Sequence, residues 1–131
     1  MNQRLGYITV LVDDYDEAID FYINKLNFIL IEDSVISETK RWVLVRPSGE
    51  NSCCLLLAKA ANDLQKSMIG NQTGGRVFLF LFTDNFDRYF KNLINKGITI
   101  EREPVVEKYG TIAVFKDIYG NLWDLIEPSS I

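Results

Sequence analysis

An internal repeat constrains the fold of this chain more than any other feature of its sequence. A strand-like run at residues 7–12 leads into a helical pattern, and a second run at residues 76–83 leads into another. A shift of 71 residues superimposes the apolar positions of the two patterns: Tyr15, Ala18, Ile19 and Tyr22 fall on Phe86, Tyr89, Phe90 and Leu93. Two copies of one supersecondary unit therefore fill the chain.

Each copy contains one helical pattern followed by three further strand-like runs. The strands are predicted at residues 7–12, 28–33, 41–46 and 52–58, and again at 76–83, 98–103, 111–116 and 122–126. Asp13 and Asp14 are suited to begin the first helix, and Asn27 and Gly97 to end the two helices in a left-handed conformation. The prediction is an α+β fold of two βαβββ modules, residues 1–59 and 76–131, joined by a linker at 60–75 with a short helix.

Composition excludes several classes of partner. The net charge of −4 argues against nucleic acid, which requires a basic surface. No run of 18 apolar residues is present, so no membrane span is expected. The cysteines, Cys53 and Cys54, are adjacent and would point to opposite faces of a strand, so a reduced, cytoplasmic protein is expected.

The absence of histidine limits the chemistry. It excludes catalysis by Ser–His–Asp or Cys–His arrangements, and no other nucleophile–base pair is visible. Cys53 would need a neighbouring cation or a helix N-terminus to become a nucleophile, and its strand context offers neither. We therefore expect a small buried thiol there and predict no catalytic residues.

The repeat resembles the vicinal oxygen chelate superfamily, which includes glyoxalases, fosfomycin- and bleomycin-resistance proteins and extradiol dioxygenases. The segments that carry the resemblance are residues 8–22, 26–28, 109–111 and 115–125. The resemblance implies two modules whose curled mixed sheets enclose a cavity, commonly completed in a homodimer. We accordingly expect a homodimer.

In metal-dependent members of that superfamily, His, Glu or Gln ligands lie on the first and last strand of each module. The resemblance and the 71-residue shift of the repeat place these positions at Tyr7, Cys53, Phe78 and Asp124. Phe78 has no donor atom, neutral Tyr7 is a poor ligand, and the soft Cys53 and hard Asp124 favour different metals. We predict no metal and no cofactor.

The same register suggests which residues face the cavity. Phe78, Phe80 and Phe82 alternate along one strand, and they either line the cavity, as their match to Tyr7 and Thr9 favours, or form plain core. Asp124 either faces the cavity or pairs with an arginine such as Arg41 or Arg76. Trp42 lies either in the pocket wall, which its N–H group favours, or in ordinary sheet packing, and Tyr109 either contacts ligand or occupies a turn. The predicted ligand-binding residues are Tyr7, Thr9, Trp42, Cys53, Phe78, Phe80, Tyr109 and Asp124.

These residues favour a protein that binds a small molecule in an apolar, aromatic cavity without the usual metal. Asp124, with Tyr7 and Tyr109, would orient the polar part of the ligand. The alternative is an enzyme of the same superfamily, a lyase, isomerase or dioxygenase with an atypical site that uses Asp124.

The incomplete ligand set generates a first prediction. Addition of Ni²⁺, Zn²⁺, Mn²⁺ or Fe²⁺, followed by EDTA, should leave the melting temperature almost unchanged, because a metal that does not bind the native state cannot stabilise it. A rise of several degrees that EDTA reverses would contradict this.

Overall fold

The computed structural model describes residues 1–130 of the chain, which divide into two compact units. The first unit is Met1–Ile69, and the second begins at Gly70, inside the predicted linker. Among the described residues, no helix has the length and apolar character needed to cross a membrane.

The first unit contains a four-stranded sheet in the order β1-β4-β3-β2. Strand β1 runs parallel to β4, and the remaining pairs are antiparallel. The chain order is β1 (Tyr7–Val12), α1 (Tyr15–Asp20) with a π-helical continuation (Phe21–Lys25), β2 (Ile29–Val35), β3 (Arg41–Arg46), β4 (Cys54–Lys59) and α2 (Asp63–Met68). Helix α2 lies where the short linker helix was expected.

The second unit repeats this plan, with sheet order β5-β8-β7-β6 and a parallel pair formed by β5 and β8. Its elements are β5 (Leu79–Phe82), α3 (Phe86–Asn95), β6 (Ile100–Glu107), β7 (Gly110–Lys116) and β8 (Leu122–Pro128). Both sheets are open and mixed, so the predicted α+β fold of two βαβββ modules is confirmed.

Local capping explains where the two main helices begin and end. The side chain of Asp14 accepts a hydrogen bond from the Glu17 amide at 2.8 Å, and that of Asn85 accepts one from the Arg88 amide at 3.2 Å. The helical segments are followed by Asn27, with φ 61°, and Gly97, with φ 72°. The left-handed conformations expected at both positions are therefore present.

Each unit buries one face of its sheet. In the first unit the core includes Val10, Val12 and Leu57 of the sheet, with Ala18 and Tyr22 of the helical segment, all fully buried. In the second unit, α3 packs on β8, and its buried core is formed by Leu81, Phe86, Leu93, Ala113, Phe115, Trp123 and Leu125. Along β5 and β8 the alternate residues, Phe80 and Asp124, are left on a second, more open face, whereas Leu44 of β3 and Val114 of β7 are buried on that face, 2% and 4% exposed.

The turn between β7 and β8 is held by a buried carboxylate. Asp117 Oδ1 accepts hydrogen bonds from the amides of Tyr119 and Asn121, each at 3.0 Å, and its Oδ2 accepts one from Asn121 Nδ2 at 2.8 Å. Asp117 and Asn121 are 5% and 2% exposed. This turn sets the register of β8, and thereby the position of Asp124.

We predict that Asp117→Ala lowers the free energy of unfolding by about 2–3 kcal/mol, because it leaves buried donors of Asn121 without their acceptor. Urea denaturation measures the change. Asp84→Ala is the matched control: Asp84 is exposed in the loop before α3, so its replacement should change stability by less than about 0.5 kcal/mol. Equal losses in the two variants would contradict the structural role of Asp117.

Candidate functional site

The open face of the second unit carries a continuous row of side chains across four strands. Phe80 pairs with Asp124, Asp124 with Val114, and Val114 with Arg102. Paired residues of adjacent strands share a face, so these side chains project from the same side of the sheet. The neighbours of Asp124 along β8, Trp123 and Leu125, point the other way and are 2% and 0% exposed.

The strand β5 contributes aromatic rings to this open face. Phe80 and Phe82 are 58% and 64% exposed, whereas Leu81 between them is buried. These two phenylalanines are therefore not core residues of their own unit. Phe78 immediately precedes β5, is half-buried, and donates its backbone amide to the carbonyl of Leu122 at 2.8 Å.

A cavity of about 510 Å³ lies on this side of the second unit. Phe80 lines it, and Asp124 is its partner on the adjacent strand. The remaining lining residues include apolar and charged side chains: Gly75, Arg76, Val77, Glu101, Arg102, Val114 and Leu122. Its size falls within the range of pockets that hold small organic molecules.

Asp124 is partly buried, and its electrostatics follow from that position. Burial raises the pKa of this carboxyl group, and the nearby positive charge of Arg102 lowers it by a smaller amount. Within the described residues of the second unit, Asp124 forms no ion pair with Arg76. In the first unit, the guanidinium group of Arg41 binds Asp16 at 2.9 Å and Asp33 at 2.7 Å. Arg102, on the same face of the second sheet, is the arginine whose charge acts on Asp124.

The first unit presents a second aromatic group on its open face. The rings of Tyr7, on β1, and Trp42, on β3, meet edge to face with centroids 6.1 Å apart. Tyr7 is 54% exposed, Trp42 is half-buried, and Thr9 lies exposed on the same side of β1 as Tyr7. The structure therefore brings Tyr7 and Trp42 together within one unit.

The strand pairing in the first unit does not follow the constant 71-residue shift of the repeat. β4 begins at Cys54, which pairs with Tyr7, and Thr9 pairs with Leu56. Since the repeat matches Thr9 to Phe80, and Phe80 pairs with Asp124, the structural counterpart of Asp124 is Leu56 and not Cys53. The connections differ in length, residues 47–53 between β3 and β4 and 117–121 between β7 and β8, which displaces the last strand.

Cys53 lies just before β4, where its thiol donates to the carbonyl of Gly6 at 3.4 Å. Burial raises the pKa of this thiol, which disfavours the thiolate required of a nucleophile.

Tyr109, in the turn between β6 and β7, is 60% exposed, and its carbonyl accepts a hydrogen bond from the Ser129 amide at 2.9 Å.

Sequence reasoning did not identify Arg102 and treated Arg76 only as a partner for Asp124. Both line the cavity of the second unit. Alternation along β6 offers no reliable signal for Arg102, because the pairing of β6 with β7 is irregular between Ile100 and Arg102 and again between Arg102 and Val105.

The residues present do not fit the metal centre of the metal-dependent superfamily members. In neither unit do three or more His, Cys, Asp or Glu side chains converge on a point that could hold a metal ion, over residues 1–130. Tyr7, Phe78, Cys53 and Asp124 supply a phenol, a phenyl ring, a thiol and one carboxylate in place of a matched ligand set.

The open mixed sheets and the order of their strands define a pair of βαβββ modules. Comparison with known families identifies the superfamily to which this pair belongs. The model of the Glyoxalase/Bleomycin resistance protein/Dioxygenase superfamily matches residues 4–125. The chain belongs to this superfamily.

Individual relatives match the chain over nearly its whole length. An uncharacterized protein of Shewanella frigidimarina (strain NCIMB 400) is 55% identical over 128 residues, which cover 97% of this chain and 95% of that protein. The crystal structure of UcmS2 has a TM-score of 0.83 and 31% identity, covering 96% of this chain and 98% of its own. TnmS3, an antibiotic binding protein from Streptomyces sp. CB03234, has a TM-score of 0.79 and 28% identity, covering 98% of each chain.

We predict that Asp124→Asn leaves the protein as stable as the wild type at pH 7, or more stable by up to about 1 kcal/mol. Burial raises the pKa of Asp124 in the folded state, so ionisation of the native protein costs stability as the pH rises through about 4. The difference between variant and wild type should therefore vanish below about pH 3.5. Urea midpoints across this pH range measure it.

Asp33→Asn serves as the matched control, because it removes a carboxylate that does pair with an arginine, at 2.7 Å. This variant should lose about 0.5–1 kcal/mol at pH 7, as expected for a partly exposed ion pair. A loss of about 3 kcal/mol in Asp124→Asn would place Asp124 in the scaffold of the fold.

Proposed function

We propose that this protein binds a small molecule in an apolar, aromatic cavity, without the metal ion used by metal-dependent members of its superfamily. The observation that carries the proposal is the exposure of aromatic side chains on the open sheet face of each unit: Phe80 and Phe82 in the second unit and Tyr7 in the first are each more than half exposed. Large aromatic rings left open to solvent in this way mark binding surfaces.

The proposal assigns different roles to these residues. In the second unit, Phe80 supplies apolar wall, Asp124 and Tyr109 orient polar groups of the ligand, and Phe78 is a proposed neighbour. In the first unit, Trp42 supplies apolar wall, Tyr7 orients polar groups, and Thr9 and Cys53 are proposed neighbours. The similarity to TnmS3, an antibiotic binding protein, supports a binding role and leaves the ligand of this chain open.

An enzymatic function is the second candidate, and one observation favours it. Asp124 is partly buried and has a raised pKa, as a general base often does. An isomerase, lyase or dioxygenase with an atypical site would then use this carboxylate. A stoichiometric divalent ion bound at Asp124 in the purified protein would favour this candidate over the metal-free binding protein.

We also propose that the chain forms a two-fold homodimer in the cytoplasm. Val105 and Val106 lie on the edge strand β6 and are 42% and 82% exposed. Exposed apolar edge strands are commonly covered by another chain. Sedimentation equilibrium distinguishes this dimer from a monomer of 15.1 kDa.

The uncharged dye N-phenyl-1-naphthylamine tests the binding proposal, because its fluorescence rises when it leaves water for an apolar site. The wild type should bind it with saturable, micromolar affinity. Phe80→Ala should weaken binding about tenfold, as expected when an aromatic contact is lost. Leu64→Ala, at a 74% exposed position on α2, is the control and should bind as the wild type does. No saturable binding by the wild type would contradict the proposal.

A further inference from the structure

Two arginines line the cavity of the second unit, and Asp124 is the carboxyl group whose pKa the charge of one of them, Arg102, lowers. Arg76 precedes β5 and Arg102 lies on β6, and both are exposed residues that border the same 510 Å³ space. Within the described part of the chain, neither guanidinium group forms an ion pair. Arg41 shows the contrast, since its guanidinium group is occupied by both Asp16 and Asp33.

The acidic groups near the cavity do not cancel these two charges. Glu101 also lines the cavity, but its carboxylate lies 3.3 Å from the ammonium group of Lys116. Asp124 shares the sheet face with Arg102, with Val114 on the strand between them. Asp124 supplies a single carboxylate, which cannot offset the charges of both guanidinium groups. The cavity is therefore locally positive although the whole chain carries a net charge of −4.

Apart from Glu101 and Gly75, the other residues of the cavity wall are apolar. Phe80, Val77, Val114 and Leu122 face the same space as the arginines. A guanidinium group presents several N–H donors in a fixed plane and binds carboxylate or sulfonate groups in a bidentate manner. An apolar wall with two such groups at its side matches a molecule that has a flat, apolar body and one acidic end.

We propose that Arg76 and Arg102 form an anion subsite, so that the cavity takes an organic acid whose carboxylate or sulfonate contacts the guanidinium groups and whose aromatic body packs on Phe80. This inference rests on the proposed binding function and specifies the class of ligand. It also assigns Asp124 a role in selectivity, since its carboxylate repels a second acidic group on the same ligand.

Two dyes with the same aromatic frame test the subsite. 8-Anilino-1-naphthalenesulfonate carries a sulfonate, and N-phenyl-1-naphthylamine lacks it. The wild type should bind the sulfonate more tightly than the uncharged dye. In the double variant Arg76→Gln/Arg102→Gln, affinity for the sulfonate should fall at least tenfold, as loss of charge-assisted hydrogen bonds predicts, while affinity for the uncharged dye stays within about twofold.

Three further variants make the result specific. Arg88→Gln removes an exposed arginine on α3, outside the residues that line the cavity, and should bind both dyes as the wild type does. Arg76→Lys/Arg102→Lys retains the charge and should recover part of the lost affinity for the sulfonate. Asp124→Asn should strengthen sulfonate binding, because it removes a nearby negative charge. Circular dichroism establishes that each variant is folded.

The outcomes separate this inference from the proposed function. If the wild type binds both dyes equally, or if the double glutamine variant loses both equally, the anion subsite is refuted and the apolar cavity stands. If the sulfonate binds as tightly to the double variant as to the wild type, the subsite is likewise refuted. If neither dye binds the wild type, the proposed function fails together with the inference.

Discussion

Side-chain alternation along sheets that are buried on one face is the constraint on which the rest of this structure depends. Each βαβββ module has a helical segment between its first and second strands, and the buried strand residues share a core with that segment. Alternate residues must then project from the opposite face, which no element of the same unit covers as fully. In β8 this places Trp123 and Leu125 in the core and leaves Asp124 on the open face. The candidate site is thus a consequence of how the core is built.

Much of the fold could be predicted because it depends on local signals. The bounds of β1 and β3, the N-cap Asp14, and the left-handed residues Asn27 and Gly97 are each set by a few neighbouring residues. The register of β4 could not be predicted in this way. It depends on the length of the connection after β3, and a one-residue error in register moves a side chain to the other face of the sheet.

The candidate site shows the same division between local and long-range information. Phe80 is exposed, and Tyr7 contacts Trp42 within the first unit; that these residues bind a ligand stays a prediction. The charged part of the cavity depends on pairing across four strands and on irregularities in β6, which places Arg102 in the row of Asp124. No short sequence pattern around Arg102 predicts that it lies in the row of Asp124, so only the folded sheet identifies this position.

The two modules use one scaffold for different chemistry. In the second unit the row of paired residues consists of Phe80, Asp124, Val114 and Arg102. The corresponding row of the first unit consists of Thr9, Leu56, Leu44 and Glu32. An arginine in one copy thus corresponds to a glutamate in the other, and a partly buried aspartate to a leucine. Backbone pairing needs none of these side chains, because the ladder hydrogen bonds and the opposite, buried face hold each sheet together. The exposed end positions of the rows, Phe80 and Arg102 in one unit and Thr9 and Glu32 in the other, can therefore change charge and size without loss of the fold, which is how one superfamily fold can carry many different sites.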